Sequence, residues 1–193
     1  MRLSIINGSP RQEAQSARVA RYLAEQAVGF HDIERIDLAR DPIPFWDGED
    51  EASKGEAWQA MVPRLAQSDA FILISPKWNG MASPLLKQWL MNADVPLVGH
   101  KPTLLVSVSS GIHGVYSIPE LQGSNKNNKL LFIPAHLIVR SVGSVLHPQP
   151  ESAQSERERS LRRRIDESLA LLARDSELLL PLRHYRDPYP YGM

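Results

Sequence analysis

The chain has 193 residues, 42% hydrophobic and 23% charged, a size and composition suited to one domain around one core. Its 22 basic and 22 acidic side chains cancel, which argues against nucleic acid or an anionic membrane as a partner. Cysteine is absent, excluding disulfides, thiol catalysis, thiolate-held iron–sulfur clusters and cysteine zinc sites, so any redox chemistry must use a bound cofactor.

The first apolar run, residues 3–6, is too short for the apolar region of a secretory leader, and no stretch approaches the length of a membrane span; a cytoplasmic protein is expected. Further runs at 33–37, 70–75, 103–108 and 137–142 are rich in branched aliphatics and short enough to be buried parallel strands. Helical spacing lies between them. Val19, Ala20, Leu23, Ala24 and Ala27 share one face, as do Leu85, Leu86, Trp89, Leu90 and Ala93, and Leu161, Ile165, Leu169 and Leu172 mark the last helix. Residues 57–66 repeat the pattern through Trp58, Met61, Val62 and Leu65, but Pro63 should kink that helix or start a new turn.

Strand and helix alternating through five units predict a doubly wound α/β fold: a three-layer sandwich, flavodoxin-like, with a five-stranded parallel sheet in the order 2-1-3-4-5. Residues 1–182 form that domain and 183–193 a tail, with no internal repeat and no dividing linker. The tail, with Tyr185, Tyr189 and Tyr191, lacks any period and reads as disordered, docking on a partner subunit being the alternative. Residues 40–50 are too proline-rich for helix or inner strand and read as a packed surface loop; residues 123–128 read as a polar turn. Arg157, Arg159, Arg162, Arg163 and Arg164 interleave with Glu156, Glu158, Asp166 and Glu167, as on a solvated helix face.

In such a fold ligands bind outside the carboxyl ends of the strands, so the loops after the first, third and fourth strands should carry the chemistry. The first is Gly8-Ser9-Pro10-Arg11, ahead of Gln15-Ser16. A strand feeding a helix N-terminus through a glycine turn makes an anion pocket, to which hydroxyls and a guanidinium add donors. A phosphate-bearing ligand follows. Ser16 reads equally as the helix N-cap. The second loop is Pro76-Lys77-Trp78-Asn79-Gly80, whose aromatic face and amide suit a flat polar heterocycle. The third is Ser109-Ser110-Gly111-Ile112-His113-Gly114, where glycines let backbone N–H groups approach a ligand edge. His113 reads as a loop histidine rather than a proton donor. The six histidines include no metal-ligand spacing, so no metal is expected.

These three motifs, in this order, resemble those of the NADPH-dependent FMN reductase family, which includes quinone, azo-dye and chromate reductases. The resemblance spans about residues 2–175. It implies that Ser9, Arg11, Gln15, Ser16 and Ala17 hold the FMN phosphate. Pro76, Lys77, Trp78 and Asn79 would line the isoalloxazine, with Gly80 in the same loop, and Ser109, Ser110 and Gly111 would meet its polar edge, with His113 beside them. Lys77 stands where the family usually has Glu, Trp78 where it has Tyr, and Ser110 where it has Gly. That Glu is often tied to subunit contacts, so the charge reversal puts a tetramer in doubt and a homodimer is expected. The implied reaction passes two electrons from NAD(P)H through FMN to a quinone, azo compound or metal oxyanion, in ping-pong order and without a catalytic side chain. A non-enzymatic FMN electron carrier is the competing reading, against which zero net charge counts. A serine hydrolase built on Ser9 or Ser109 with His113 lacks a nucleophile elbow.

Overall fold

The computed structural model describes residues 1–48, 51–125, 128–149 and 154–184. The Tyr-rich tail from residue 185 onward and parts of the proline-rich and 123–128 loops lie outside the described residues. Five strands, β1 (Arg2–Asn7), β2 (Asp32–Asp37), β3 (Ala70–Pro76), β4 (Pro102–Val108) and β5 (Leu131–Val139), form one all-parallel sheet in the order β2-β1-β3-β4-β5. This is the expected flavodoxin-like topology. Among the described residues six α-helices connect or follow the strands: α1 (Gln15–Gln26), α2 (Gly55–Gln67), α3 (Pro84–Asn92), the single turn α4 (Val95–Val98), α5 (Ser117–Gly123) and α6 (Glu156–Leu179). Among the described residues no helix is long and apolar enough to cross a membrane.

Side chains alternate across a strand, so each central strand feeds two cores. On one face Leu3, Ile5, Ile72, Ile74, Leu104 and Val106 pack against Val19 and Leu23 of α1 and Ile165, Leu169 and Leu172 of α6. On the other, Ile6, Phe71, Leu73 and Leu105 meet Trp58, Met61 and Leu65 of α2, Leu86 and Trp89 of α3, and Ile118 and Leu121 of α5. The predicted apolar stripes are therefore the buried ones. Pro63 sits inside α2, which runs through it with the proline on the exposed face, so the expected interruption does not end the helix.

The fifth strand departs from expectation. It begins six residues earlier than the sequence suggests and ends at Val139, while Val142 opens a 3-10 turn, Val142–Ser144. Pro134 lies inside it. Phe132 pairs with Thr103 but His136 pairs with Leu105, so β5 bulges between these rungs and the proline needs no ladder bond there. Within a sheet proline is confined to edges, strand starts and bulges, and here β5 is both an edge and bulged.

The charged run on α6 is exposed for the most part, as expected of a solvated face, but Glu158 and Arg162 are not. Glu158 is 2% exposed; it pairs with Arg162 at 2.7 Å and accepts from the Leu146 N–H at 2.9 Å. Arg162 in turn reaches the Tyr22 hydroxyl at 3.1 Å, tying α6 to α1. Burial raises the Tyr22 hydroxyl pKa against the opposing pull of Arg162.

Trp89 is fully buried and meets Phe71 edge-on with centroids 5.8 Å apart. Trp89→Ala is expected to lower unfolding free energy by about 3–5 kcal/mol, the range for emptying a large aromatic site, as read from urea denaturation.

Candidate functional site

The three predicted loops leave the same edge of the sheet, and each is stitched to the next strand by one backbone bond. Gly8 N–H donates to the Ile74 carbonyl at 2.9 Å, Lys77 N–H to Val108 at 2.8 Å, and Ser109 N–H to Val139 at 2.9 Å. The loops after β1, β3 and β4 therefore lie side by side. Gly8 is required for this closeness: a Cβ there would stand 2.7 Å from the Leu86 Cβ on α3. Ser83, the residue before α3, donates its hydroxyl to the Gly8 carbonyl, and its own N–H bonds Ser75 Oγ at 2.9 Å.

In the first loop Ser9 is buried and its Oγ accepts from Arg11 N–H at 3.1 Å, turning the chain toward α1. The α1 N-cap is Ala14, which has no side-chain acceptor, and the first turn carries no acidic residue. Ser16 is therefore not the cap. It lies one position inside the helix, 2% exposed, with its Oγ buried and unpartnered. Free N–H groups, a positive helix end and an orphan hydroxyl converge at one point, a donor set suited to an oxyanion. Ala17 is half-buried in the next position, whereas Gln15 is exposed and its Oε1 accepts from Arg18 Nε at 3.0 Å. Arg18 also donates to the carbonyls of Val145 and Leu146, at 2.8 and 2.9 Å, pinning the chain after β5 against α1.

The second loop is a tight turn. Trp78 and Met81 exchange both backbone bonds, and Asn79 and Gly80 between them have φ of +47° and +84°. Positive φ at both central positions is the Asn-Gly hairpin signature. The turn presents Trp78 half-buried, with Arg11 4.5 Å above its ring, so the first and second loops touch through a cation–π contact. The indole Nε1 is buried and without a partner. Pro76 and Lys77 are half-buried at the strand end, and Asn79 is exposed.

The third loop repeats the device of the first. Ser109 is buried and its Oγ accepts from Gly111 N–H at 3.2 Å, while Ser110, Gly111 and His113 are exposed. Ser141 and Val142 N–H groups bond the Gly111 and Ser109 carbonyls at 2.9 and 3.0 Å, bracing it from beyond β5.

Sequence reasoning missed Glu120 on α5. One carboxylate oxygen accepts from Ala82 N–H at 2.6 Å and the other from Lys87 at 2.8 Å, so this side chain holds the Trp78 turn to the start of α3. No motif marks it, because its partners lie over thirty residues away. The Lys87 hydrogen bond, with the Ala82 N–H, holds its carboxyl below the ordinary carboxylate value against the upward push of burial.

The fold is flavodoxin-like, and the three loops meet at the switch point of its sheet. Residues 1–135 match the model of the NADPH-dependent FMN reductase family, an oxidoreductase family that works with FMN and NADPH, and the chain belongs to it. It is 32% identical over 114 residues to the NADPH azoreductase of Bacillus sp. (strain OY1-2), covering 59% of this chain and 62% of that protein. It is 30% identical over 116 residues to a quinone reductase of Pseudomonas putida, covering 58% and 62%. The chain thus spans under two thirds of the length of these curated relatives. Among solved structures, the flavoenzyme NAD(P)H:(acceptor) oxidoreductase FerB of Paracoccus denitrificans shares the fold, with a TM-score of 0.69 at 14% identity over 92% of this chain and 98% of that one.

Because the Glu120 carboxyl is depressed in the folded state, its contribution to stability is present above the unfolded carboxylate pKa of about 4.3 and is lost as pH falls through the folded value. Glu120→Gln should therefore flatten the loss of unfolding free energy below about pH 5 relative to the wild type, measured by urea denaturation across that range.

Proposed function

We propose that this protein is an FMN-dependent NAD(P)H oxidoreductase, a cytoplasmic homodimer that passes two electrons in ping-pong order to a quinone, azo compound or metal oxyanion. The observation that carries the reading is the buried, unpartnered Ser16 Oγ at an uncapped helix N-terminus, beside a loop that touches an indole-bearing turn. Phosphate and flat ring are the two ends of one mononucleotide. The names of the relatives, an azoreductase and a quinone reductase, support the acceptor class.

In this reading Ser9, Arg11, Gln15, Ser16 and Ala17 hold the phosphate. Arg11 leaves the Trp78 face or bridges ring and anion, since a cation at a positive helix end is favourable only when an anion offsets it. Pro76, Lys77, Trp78, Asn79 and Gly80 line the ring, and the rigid Asn79-Gly80 turn fixes the height of the indole. Ser109, Ser110, Gly111 and His113 meet the polar edge, with the Ser109 oxygen shaping the loop by accepting from Gly111 N–H. Bound FMN would supply the hydride chemistry, and the side chains bind and orient it. The Lys77 ammonium, placed at the ring, would favour added negative charge there.

The purified protein with added FMN should show flavin bands at about 375 and 450 nm and oxidise NADPH with a quinone in parallel-line kinetics. A colourless protein that takes up no FMN overturns the reading, and flavin binding without NAD(P)H oxidation makes it an electron carrier. Ser16→Ala should weaken FMN binding about tenfold, the effect of one lost hydrogen bond to an anion, in a fluorescence titration. Lys77→Glu should lower the midpoint potential of the bound flavin in a spectroelectrochemical titration.

A further inference from the structure

The guanidinium of Arg11 lies 4.5 Å from the centroid of the Trp78 ring, and among the described residues it makes no ion pair and no side-chain hydrogen bond. The Arg11 backbone is held separately, by its N–H on Ser9 Oγ at 3.1 Å, so the exposed side chain swings from a fixed base. Trp78 is fixed from both sides. Its N–H and carbonyl are engaged with Met81, and Glu120 holds the N–H of Ala82 at 2.6 Å. The indole is half-buried with its Nε1 covered, so of the two partners the guanidinium is the one with room to move.

Two forces set where that guanidinium lies. The positive end of α1 repels a cation, since its first turn carries no acidic residue and its N-cap, Ala14, offers no side-chain acceptor. The negative face of an indole attracts one. An oxyanion at the start of α1 would reverse the balance. It would meet the buried, unpartnered Ser16 Oγ and the unpaired N–H groups of the first turn, and would draw the Arg11 fork by charge-assisted hydrogen bonds. A flat ring, for its part, competes with the guanidinium for the same indole face.

We propose that Arg11 determines specificity by coupling the two ends of the ligand: it covers the Trp78 face until an oxyanion at the start of α1 draws it off, and so admits a flat ring best together with a phosphate. The ring half of this statement rests on the flavin reading, whereas the response of Trp78 to an oxyanion does not. A ring without phosphate has to displace the guanidinium unaided. Selectivity for the phosphorylated ligand then exceeds what the phosphate contacts give by themselves. Coupling of this kind is reciprocal, so a separate anion and a separate ring must each tighten the binding of the other by the same factor. One cation–π contact at a partly exposed site corresponds to a factor of about three.

Inorganic phosphate titrated into the purified full chain without flavin, at an ionic strength held constant with chloride, tests this. Acrylamide quenching of the tryptophan emission should rise as the guanidinium leaves Trp78, and the rise should be missing in Trp78→Phe and in Arg11→Ala. Riboflavin, followed by the loss of its own fluorescence, should bind about threefold more tightly at saturating phosphate than without it. In Arg11→Ala, riboflavin without phosphate should bind as tightly as it binds the wild type with phosphate, while FMN binds less tightly than to the wild type. A riboflavin affinity that phosphate leaves unchanged or lowers overturns the proposal, as does a coupling that survives Arg11→Ala. If riboflavin does not bind, the tryptophan response decides alone: one that needs both Arg11 and Trp78 upholds the coupling, and its absence overturns it. If FMN does not bind either, the flavin reading falls whatever that response is. FMN binding with neither a tryptophan response nor a riboflavin coupling removes this proposal and leaves the flavin reading in place.

Discussion

Everything at the candidate site depends on three backbone hydrogen bonds along the carboxyl edge of the sheet. Gly8 to Ile74, Lys77 to Val108 and Ser109 to Val139 are the last rungs between neighbouring strands, and each is made by the first residues of a loop. A parallel sheet sends all its loops out of one edge, but only such terminal rungs keep them at strand spacing, close enough for one ligand to touch all three. Gly8 is where the constraint is tightest, because the loop, the end of β3 and α3 meet there without room for a side chain.

Around that edge the polar groups divide into those that hold the loops and those left available. Ser9 and Ser109 each use their oxygen to turn their own loop, Ser75 and Ser83 lace α3 to the first strand, and Glu120 clamps the Trp78 turn from α5. Ser16 Oγ, Trp78 Nε1 and Asn7 Oδ1 are buried and unspent. All three lie on or beside the same two loops, although buried polar atoms without a partner also occur away from them, Trp58 Nε1 and Trp89 Nε1 among them. The first two lie where the proposed mononucleotide would sit.

The central strands were readable because strands buried on both faces must be continuous aliphatic runs, and β1, β3 and β4 are. The edge strand β5 was misplaced because Pro134 and the polar and half-exposed positions around it break that signal, while a bulge at an edge makes the break harmless. Likewise the α6 charges read as a solvated face, whereas Glu158 is buried against the chain after β5, a contact no local spacing reveals. Ser16 had two readings from sequence; the cap two residues earlier, at Ala14, removed the first and left its hydroxyl open.

By itself the sequence determined the alternation of strands and helices, the faces that go inward, the three loops and the family to which they belong, since these follow from periodicity and from short motifs contiguous in the chain. Only the tertiary structure decided which of the loop groups are spent on one another, that Glu120 braces the Trp78 turn, and that Asn7 meets Asp37. The last two join residues thirty or more positions apart, and hydrogen-bond satisfaction is a property of the packed arrangement rather than of any segment.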